Sequence, residues 1–134
     1  MNIFERAKKL GLPLGQYVIT GSGPLEALGI RKASDLDIAV TPELYEKLRA
    51  SGLWREEEHY GKTFLEGDNV TVIPSLNWGE YPVTAKEAIE SAMILQGVPF
   101  MNLEELKKFK TAMGREKDLN DIKMIDVYIR NENN

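Results

Sequence analysis

The sequence predicts an α+β protein in which helices pack on a mixed β-sheet. Two observations lead to this prediction: short apolar runs typical of strands, such as Tyr17–Thr20 and Val70–Ile73, and other segments whose apolar residues recur at helical spacing. The composition is that of a soluble globular protein, at 43% hydrophobic and 28% charged residues. With 134 residues, the chain is expected to form one domain, residues 1–134.

The first forty residues are predicted to form helix, strand, turn, helix and strand in that order. The first helix ends at Gly11 and carries apolar residues at helical spacing, namely Ile3, Phe4, Ala7 and Leu10. The strand at Tyr17–Thr20 leads into a glycine turn at residues 21–23 and a short helix. A second strand, residues 36–40, is apolar except at Asp37.

Strands and turns also account for the middle of the chain. Apolar and polar residues alternate over residues 54–74, which predicts strands broken by turns at residues 61–62 and 67–69. Residues 92–101 predict a short hairpin. Both segments are expected to join the sheet.

Four further helices are predicted. The first has Thr41 as its N-cap and Pro42 at its first helical position, and the next two begin with the capping boxes Thr84/Glu87 and Asn102/Glu105. The last helix is predicted over residues 117–129 with a single apolar stripe, and residues 131–134 are expected to be a frayed tail. The stripe consists of Leu119, Ile122, Ile125 and Ile129.

Charge and residue content exclude several classes of function. The net charge of −4 argues against an extended nucleic-acid surface, although a local basic patch could serve a short anionic substrate. The absence of cysteine excludes disulfides and thiolate sites, and a single histidine, His59, excludes a histidine-rich metal cluster. No signal peptide or membrane span is recognisable, so a cytoplasmic location away from membranes is expected.

Asp35 and Asp37 are the strongest candidates for chemistry. Residues i and i+2 of a strand project from the same side, roughly 7 Å apart. Close like charges repel, so the pair favours a cation, and hard carboxylate oxygens suit Mg²⁺ or Mn²⁺. The alternative is a pair of solvated aspartates at a strand edge, since aspartate is common near turns.

Gly21, Ser22 and Gly23 are candidates for phosphate binding. Glycine allows unusual backbone angles and leaves no Cβ in the way of a ligand. A Gly-Ser-Gly triplet is more often only a turn. Its position between a strand and a helix, shortly before Asp35, is what suggests a site.

The order of Gly21-Ser22, a short helix and Asp35-x-Asp37 resembles the nucleotidyltransferase superfamily, the polymerase-beta-like fold, and its small stand-alone minimal members. The resemblance covers about residues 17–129, with the last helices closing the domain. It implies that Gly21 and Ser22 contact the nucleotide phosphates and that Asp35 and Asp37 hold divalent metal for phosphoryl transfer. Lys110 is the best candidate to neutralise phosphate charge, and Arg115 and Lys117 are weaker ones, whose alternative is a solvated helix surface.

The activity implied is the transfer of a nucleoside monophosphate from a magnesium-bound nucleoside triphosphate, ATP included, to a hydroxyl of an unknown acceptor. The sequence departs from the pattern at residues 70–73, where a third acid is expected and Thr71 or Ile73 stands. Glu66 and Asp68 are possible substitutes, or they are turn and edge residues. The rival interpretation is therefore a weakened nucleotide-binding or regulatory module, such as the antitoxin-like half of a two-protein system. A protein partner or a homodimer is expected to complete the acceptor surface.

The remaining polar candidates are expected to be structural. Asp118 and Asp121 are interpreted as an N-cap and its partner three residues later. Arg31 precedes the aspartates and either approaches substrate or lies in a solvated loop.

Overall fold

The protein is described here from a computed structural model, which defines residues 1–132. Those residues form one seven-stranded mixed sheet flanked by helices, which confirms the predicted α+β class. The strands are β1 (Tyr17–Thr20), β2 (Leu36–Val40), β3 (Arg55–His59), β4 (Lys62–Glu66), β5 (Val70–Ile73), β6 (Met93–Leu95) and β7 (Val98–Phe100). The helices are α1 (Ile3–Lys9), α2 (Gly23–Ala27), α3 (Pro42–Ala50), α4 (Ala85–Glu90), α5 (Leu103–Met113) and α6 (Glu116–Glu132).

The order of the strands across the sheet is β3-β4-β5-β2-β1-β7-β6. Strand β2 pairs antiparallel with β1 and parallel with β5, and β1 pairs parallel with β7. The remaining pairs are antiparallel, including the predicted hairpin of β6 and β7. The central strands β1, β2 and β5 are therefore paired on both sides, which explains their apolar sequences.

Side chains alternate between the two faces of the sheet, and each face has its own core. On the α1/α3 face, strand residues such as Ile19, Ile38 and Val72 pack with Ile3 of α1 and Leu44 of α3. On the α5/α6 face, Val18, Ala39 and Met101 pack with residues of the later helices, which include Ala88, Leu106, Phe109 and Ile125. The sheet is thus covered on both sides.

The predicted caps are present at α3 and α4, whereas those at α5 and α6 differ from the prediction. Thr84 and Glu87 form both hydrogen bonds of a capping box at the start of α4. At α5, Asn102 accepts from the backbone N–H of Glu105, but the Glu105 carboxylate instead accepts from the Tyr81 hydroxyl, at 2.6 Å. The predicted second capping box is therefore only half formed, because Tyr81 takes the carboxylate that would have completed it.

The predicted apolar stripe of the last helix is only partly right. Ile125 is fully buried, but Leu119 is 49% exposed, and the acids Asp118 and Asp121 lie inside instead. Helix α6 begins at Glu116 and continues through Glu132, so the expected tail is helical at residues 131–132. Asn133 and Asn134 lie outside the described residues. Within residues 1–132, none of the helices has the length and apolar character to cross a membrane.

Candidate functional site

The glycine turn after β1 contacts the carboxylate of Asp37. Strands β1 and β2 pair so that Thr20 lies opposite Asp37, which places the turn that follows Thr20 beside the aspartate. Gly21 has a φ of +64°, a conformation that favours glycine. A Cβ at Gly21 would lie 2.5 Å from Oδ2 of Asp37, closer than atoms can approach. The backbone angle therefore favours glycine, and any side chain at this position would displace the carboxylate of Asp37.

Asp35 lies just ahead of β2, which begins at Leu36. It is exposed, whereas Asp37 is half-buried. The charge of Asp35 nevertheless acts on Asp37 and, after burial, raises the pKa of Asp37 more than any other group does. The structure places Gly21 against Asp37, with Asp35 two residues before it along the chain, and the roles of these residues at a metal and at phosphates stay predictions.

The loop that carries Asp35 is held by hydrogen bonds on several sides. Ser22 Oγ accepts from the backbone N–H of Ser34 at 3.3 Å, which joins the glycine turn to the loop. Glu26 of α2 accepts from the N–H of Ala33 at 3.0 Å. Arg6 of α1 donates to the carbonyl of Ser34 at 3.1 Å. Asp35 is thus held by the fold, although it is exposed.

The carboxylate of Asp37 lies in a site that disfavours its charge. Burial, and next the charge of Asp35, raises the pKa of Asp37 from 3.8 to about 6. The charges of Lys110 and Lys117 oppose this increase, and Glu66 adds to it. Asp37 is therefore an anion with incomplete compensation, which is the electrostatic condition for binding a cation.

Lys110 lies near Asp37 but is already paired. Its side chain is buried, and Nζ donates to Asp121 Oδ2 at 2.9 Å and lies 3.7 Å from Asp118 Oδ1. Asp121 also accepts two hydrogen bonds from Arg31, at 2.8 and 2.9 Å. The role predicted for Lys110 at the phosphates stays a prediction, and its contacts show that it also anchors α5 to α6.

The interpretation of Asp121 as a capping residue was wrong. Burial acts to raise its pKa, but the hydrogen bonds from Arg31 and Lys110 outweigh burial and hold that pKa below its usual range. Asp118 is not the predicted N-cap either, because α6 begins at Glu116; from the first turn it accepts from the backbone N–H and the guanidinium of Arg115. Arg31 is only partly exposed and pairs with Asp121, which ties its loop to α6.

The weaker basic candidates lie at the same end of the molecule. The pKa of Arg115 is raised, first by the hydrogen bond to Asp118 and to a smaller extent by the charge of Asp37. Lys117 is exposed on α6 and lowers the pKa of Asp37. The turn between α5 and α6 thus brings positive charge toward the aspartates.

The position expected for a third acid is occupied by Thr71. The register of β2 and β5 places Thr71 directly beside Asp37, so Ile73, beside Ala39, is not the equivalent residue. Glu66 of β4 lies beside Thr71 on its other side. Asp68 lies in the turn after β4 and lines a groove on the opposite side of the sheet. Of the two suggested substitutes, Glu66 alone shares a row with Asp37.

A groove of about 1050 Å³ lies on the α1/α3 face. Asp35 and Asp68 contribute to its lining, together with apolar residues such as Leu10 and Trp54. Asp37, Gly21, Ser22 and Lys110 are absent from that lining. We place the candidate site on the α5/α6 face, because the carboxylate contact and the basic residues are found there, whereas the groove has only the exposed Asp35 in common with it.

Comparison with known proteins supports the assignment of the fold. No protein-family model matches the sequence, and no curated protein matches it. Among solved structures, the chain is similar to ANT(2'')-Ia, crystallised in complex with adenylyl-2''-tobramycin, with a TM-score of 0.54 and 17% sequence identity. The similarity covers 96% of this chain and 86% of the other. The chain has a nucleotidyltransferase-like fold.

The residues present in this nucleotidyltransferase-like fold fit one divalent metal ion better than two. Asp35 and Asp37 supply hard oxygen donors, and the uncompensated charge of Asp37 suits a cation. In the described part of the chain, no group of three or more histidine or acidic side chains is close enough together to hold a metal. Two metal ions 3.5–4 Å apart need more carboxylate than this pair provides.

Proposed function

We propose that this chain is a nucleotidyltransferase. It would transfer a nucleoside monophosphate from a magnesium-bound nucleoside triphosphate to a hydroxyl of an acceptor and release pyrophosphate. The observation that carries the proposal is the packing of the Gly21-Ser22 turn against the carboxylate of Asp37. The similarity in fold to ANT(2'')-Ia, whose structure contains an adenylylated product, supports it.

Each candidate residue has a role in the proposed reaction. Asp35 and Asp37 would hold Mg²⁺ or Mn²⁺, which when bound neutralises the charge that develops on the transferred group and on pyrophosphate. Gly21 and Ser22 would hold the β- and γ-phosphates. The Ser22 oxygen accepts from Ser34, so its own hydroxyl proton is free to donate to a phosphate oxygen. Lys110 of α5 would contribute positive charge that helps to neutralise the phosphates.

The proposal is tested by calorimetric titration of each nucleoside triphosphate, with and without Mg²⁺. The native protein is compared with an Asp35→Asn/Asp37→Asn double variant and with Asp68→Asn as a matched control. We expect metal-dependent binding in the native protein and the control, and a loss of at least 100-fold in affinity in the double variant. A well-folded native protein that binds no nucleotide would refute the proposal.

A second candidate function rests on Thr71. Because Thr71 lies beside Asp37 where an acid is expected, the chain would instead be a nucleotide-binding or regulatory module that acts with a protein partner or as a homodimer. This module would bind the magnesium-bound nucleotide without releasing pyrophosphate in the presence of hydroxyl acceptors. Sedimentation of a lone monomer at working concentration would argue against the homodimer.

A further inference from the structure

Asp37, Thr71 and Glu66 form one row across three adjacent strands. Asp37 of β2 lies beside Thr71 of β5, and Thr71 lies beside Glu66 of β4. Residues side by side in neighbouring strands point to the same face of a sheet. The neighbours of each member along its own strand, including Ile38, Val72 and Leu65, are buried on the α1/α3 face. The three side chains of the row therefore share the α5/α6 face.

Thr71 directs Glu66 toward the candidate site. The Thr71 hydroxyl donates to Oε2 of Glu66 at 2.8 Å. Among the ion pairs within residues 1–132, none includes Glu66, so its charge is not committed to a basic side chain there. Its charge also acts on Asp37. The residue that replaces the expected acid thus holds another acid in the same row.

The spacing of the row argues that Glu66 is not a metal ligand. Neighbouring strands lie about 4.8 Å apart, so the backbones of Asp37 and Glu66 are separated by about 10 Å, with Thr71 between them. This agrees with the finding that no three acids within residues 1–132 are grouped closely enough to hold a metal. The carboxylates of Asp37 and Glu66 therefore stand on either side of Thr71.

We propose that Glu66 is a further catalytic residue, the general base that accepts the proton of the acceptor hydroxyl. This rests on the proposed nucleotidyl transfer. The acceptor oxygen forms a bond to the α-phosphorus while the bond from that phosphorus to the pyrophosphate oxygen breaks. The hydroxyl proton passes to the carboxylate of Glu66, and pyrophosphate leaves. The Thr71 hydroxyl occupies Oε2, which leaves Oε1 free to accept the proton.

The test separates nucleotide binding from turnover. Glu66→Gln and Glu66→Asp are compared with Glu58→Gln, a matched control because Glu58 accepts from Thr63 in the same hairpin but at a residue pair on the opposite face. Binding of magnesium-bound ATP is measured by calorimetry. Turnover is measured as pyrophosphate release, with water and with tobramycin as the hydroxyl probes. Thermal unfolding confirms that each variant is folded.

We expect Glu66→Gln to bind magnesium-bound ATP within twofold of the native protein and to lose at least about 100-fold in kcat, the usual contribution of a general base. Glu66→Asp should lose less, and Glu58→Gln should behave as native. A folded Glu66→Gln protein with native turnover would overturn the proposal, as would a native protein that binds ATP but releases no pyrophosphate. Absence of nucleotide binding in the native protein would instead refute the proposed function itself.

Discussion

Replacement of Asp37 by asparagine should stabilise the metal-free protein at neutral pH. Burial and the charge of Asp35 raise the pKa of Asp37 from 3.8 to about 6, so the folded state opposes ionisation that the unfolded chain permits. A difference of about 2 in pKa corresponds to about 3 kcal/mol, at roughly 1.4 kcal/mol per pKa unit. Asparagine removes the charge at nearly constant volume, so the expected gain in the free energy of unfolding is about 2–3 kcal/mol.

The sign of this effect fixes its pH window. The folded protein retains the proton of Asp37 to higher pH than the unfolded chain, so the contribution of Asp37 to stability decreases as pH rises from about 4 to about 6. Above that window the loss of stability caused by ionised Asp37 is constant, and below the window there is no such loss. Asp37→Asn should therefore match the native protein near pH 4 and exceed it at pH 8.

Urea unfolding at pH 4 and pH 8, in the presence of a chelator, measures this effect. For a chain of this size, the gain corresponds to a rise in Tm of roughly 6–12 °C. Asp35→Asn is the matched control and should gain less, because Asp35 is exposed. Addition of Mg²⁺ should stabilise the native protein and leave Asp37→Asn unchanged. Equal stability of Asp37→Asn and native protein at pH 8 would contradict the electrostatic account of the site.

Three further predictions concern the surroundings of the site. Asp121→Asn should cost about 3 kcal/mol in urea unfolding, because it removes the main partner of a buried lysine, and Asp121→Leu should not recover that loss. Gly21→Ala should cost about 1–2 kcal/mol through its left-handed backbone, and calorimetry should show weakened binding of magnesium-bound ATP, because the new Cβ would displace Asp37. On α6, Leu119→Lys should change the free energy of unfolding by less than about 0.5 kcal/mol, whereas Ile125→Ala should cost about 3 kcal/mol. A large loss in Leu119→Lys would contradict the placement of that residue at the surface.

The parts of the fold that depend on neighbours along the chain could be predicted from sequence. The turn at Gly21 and the strand at Asp37 lie within twenty residues of each other. Glycine indicates a turn, and the apolar run around Asp37 indicates a strand. The capping box at Thr84 is likewise a local pattern. These elements could be predicted because the residues that interact in them are close together in the sequence.

The interactions of α6 could not be predicted in this way. Ile125 and Ile129 share one side of the helix either with Asp118 and Asp121 or with the predicted Leu119 and Ile122, and helical periodicity cannot choose between the two stripes. The apolar stripe was preferred because burial of an acid is costly without a partner. That partner, Lys110, lies on another helix, and the sequence does not show that it is buried.

The position of Glu66 depended on the register of strands. Sequence indicated a strand at residues 70–73 and an acid before it, but not which residue of β5 lies beside Asp37. Once Thr71 is in that position, the antiparallel pairing of β4 places Glu66 in the same row. A shift of one residue would have moved Glu66 to the other face of the sheet.

The ion pairs around Lys110 show how far the protein's own basic side chains compensate the negative charge of the candidate site. Arg31, Lys110 and Arg115 contribute three positive charges, and their partners Asp118 and Asp121 contribute two negative ones. One positive charge therefore remains in a network whose lysine and aspartates are buried and whose arginines are partly exposed. The charges of Lys110 and Lys117 lower the pKa of Asp37 but do not return it to its ordinary value, because burial and Asp35 act in the opposite direction. The protein thus neutralises only part of the charge of the two aspartates, and a divalent cation is the ligand that would supply the remainder.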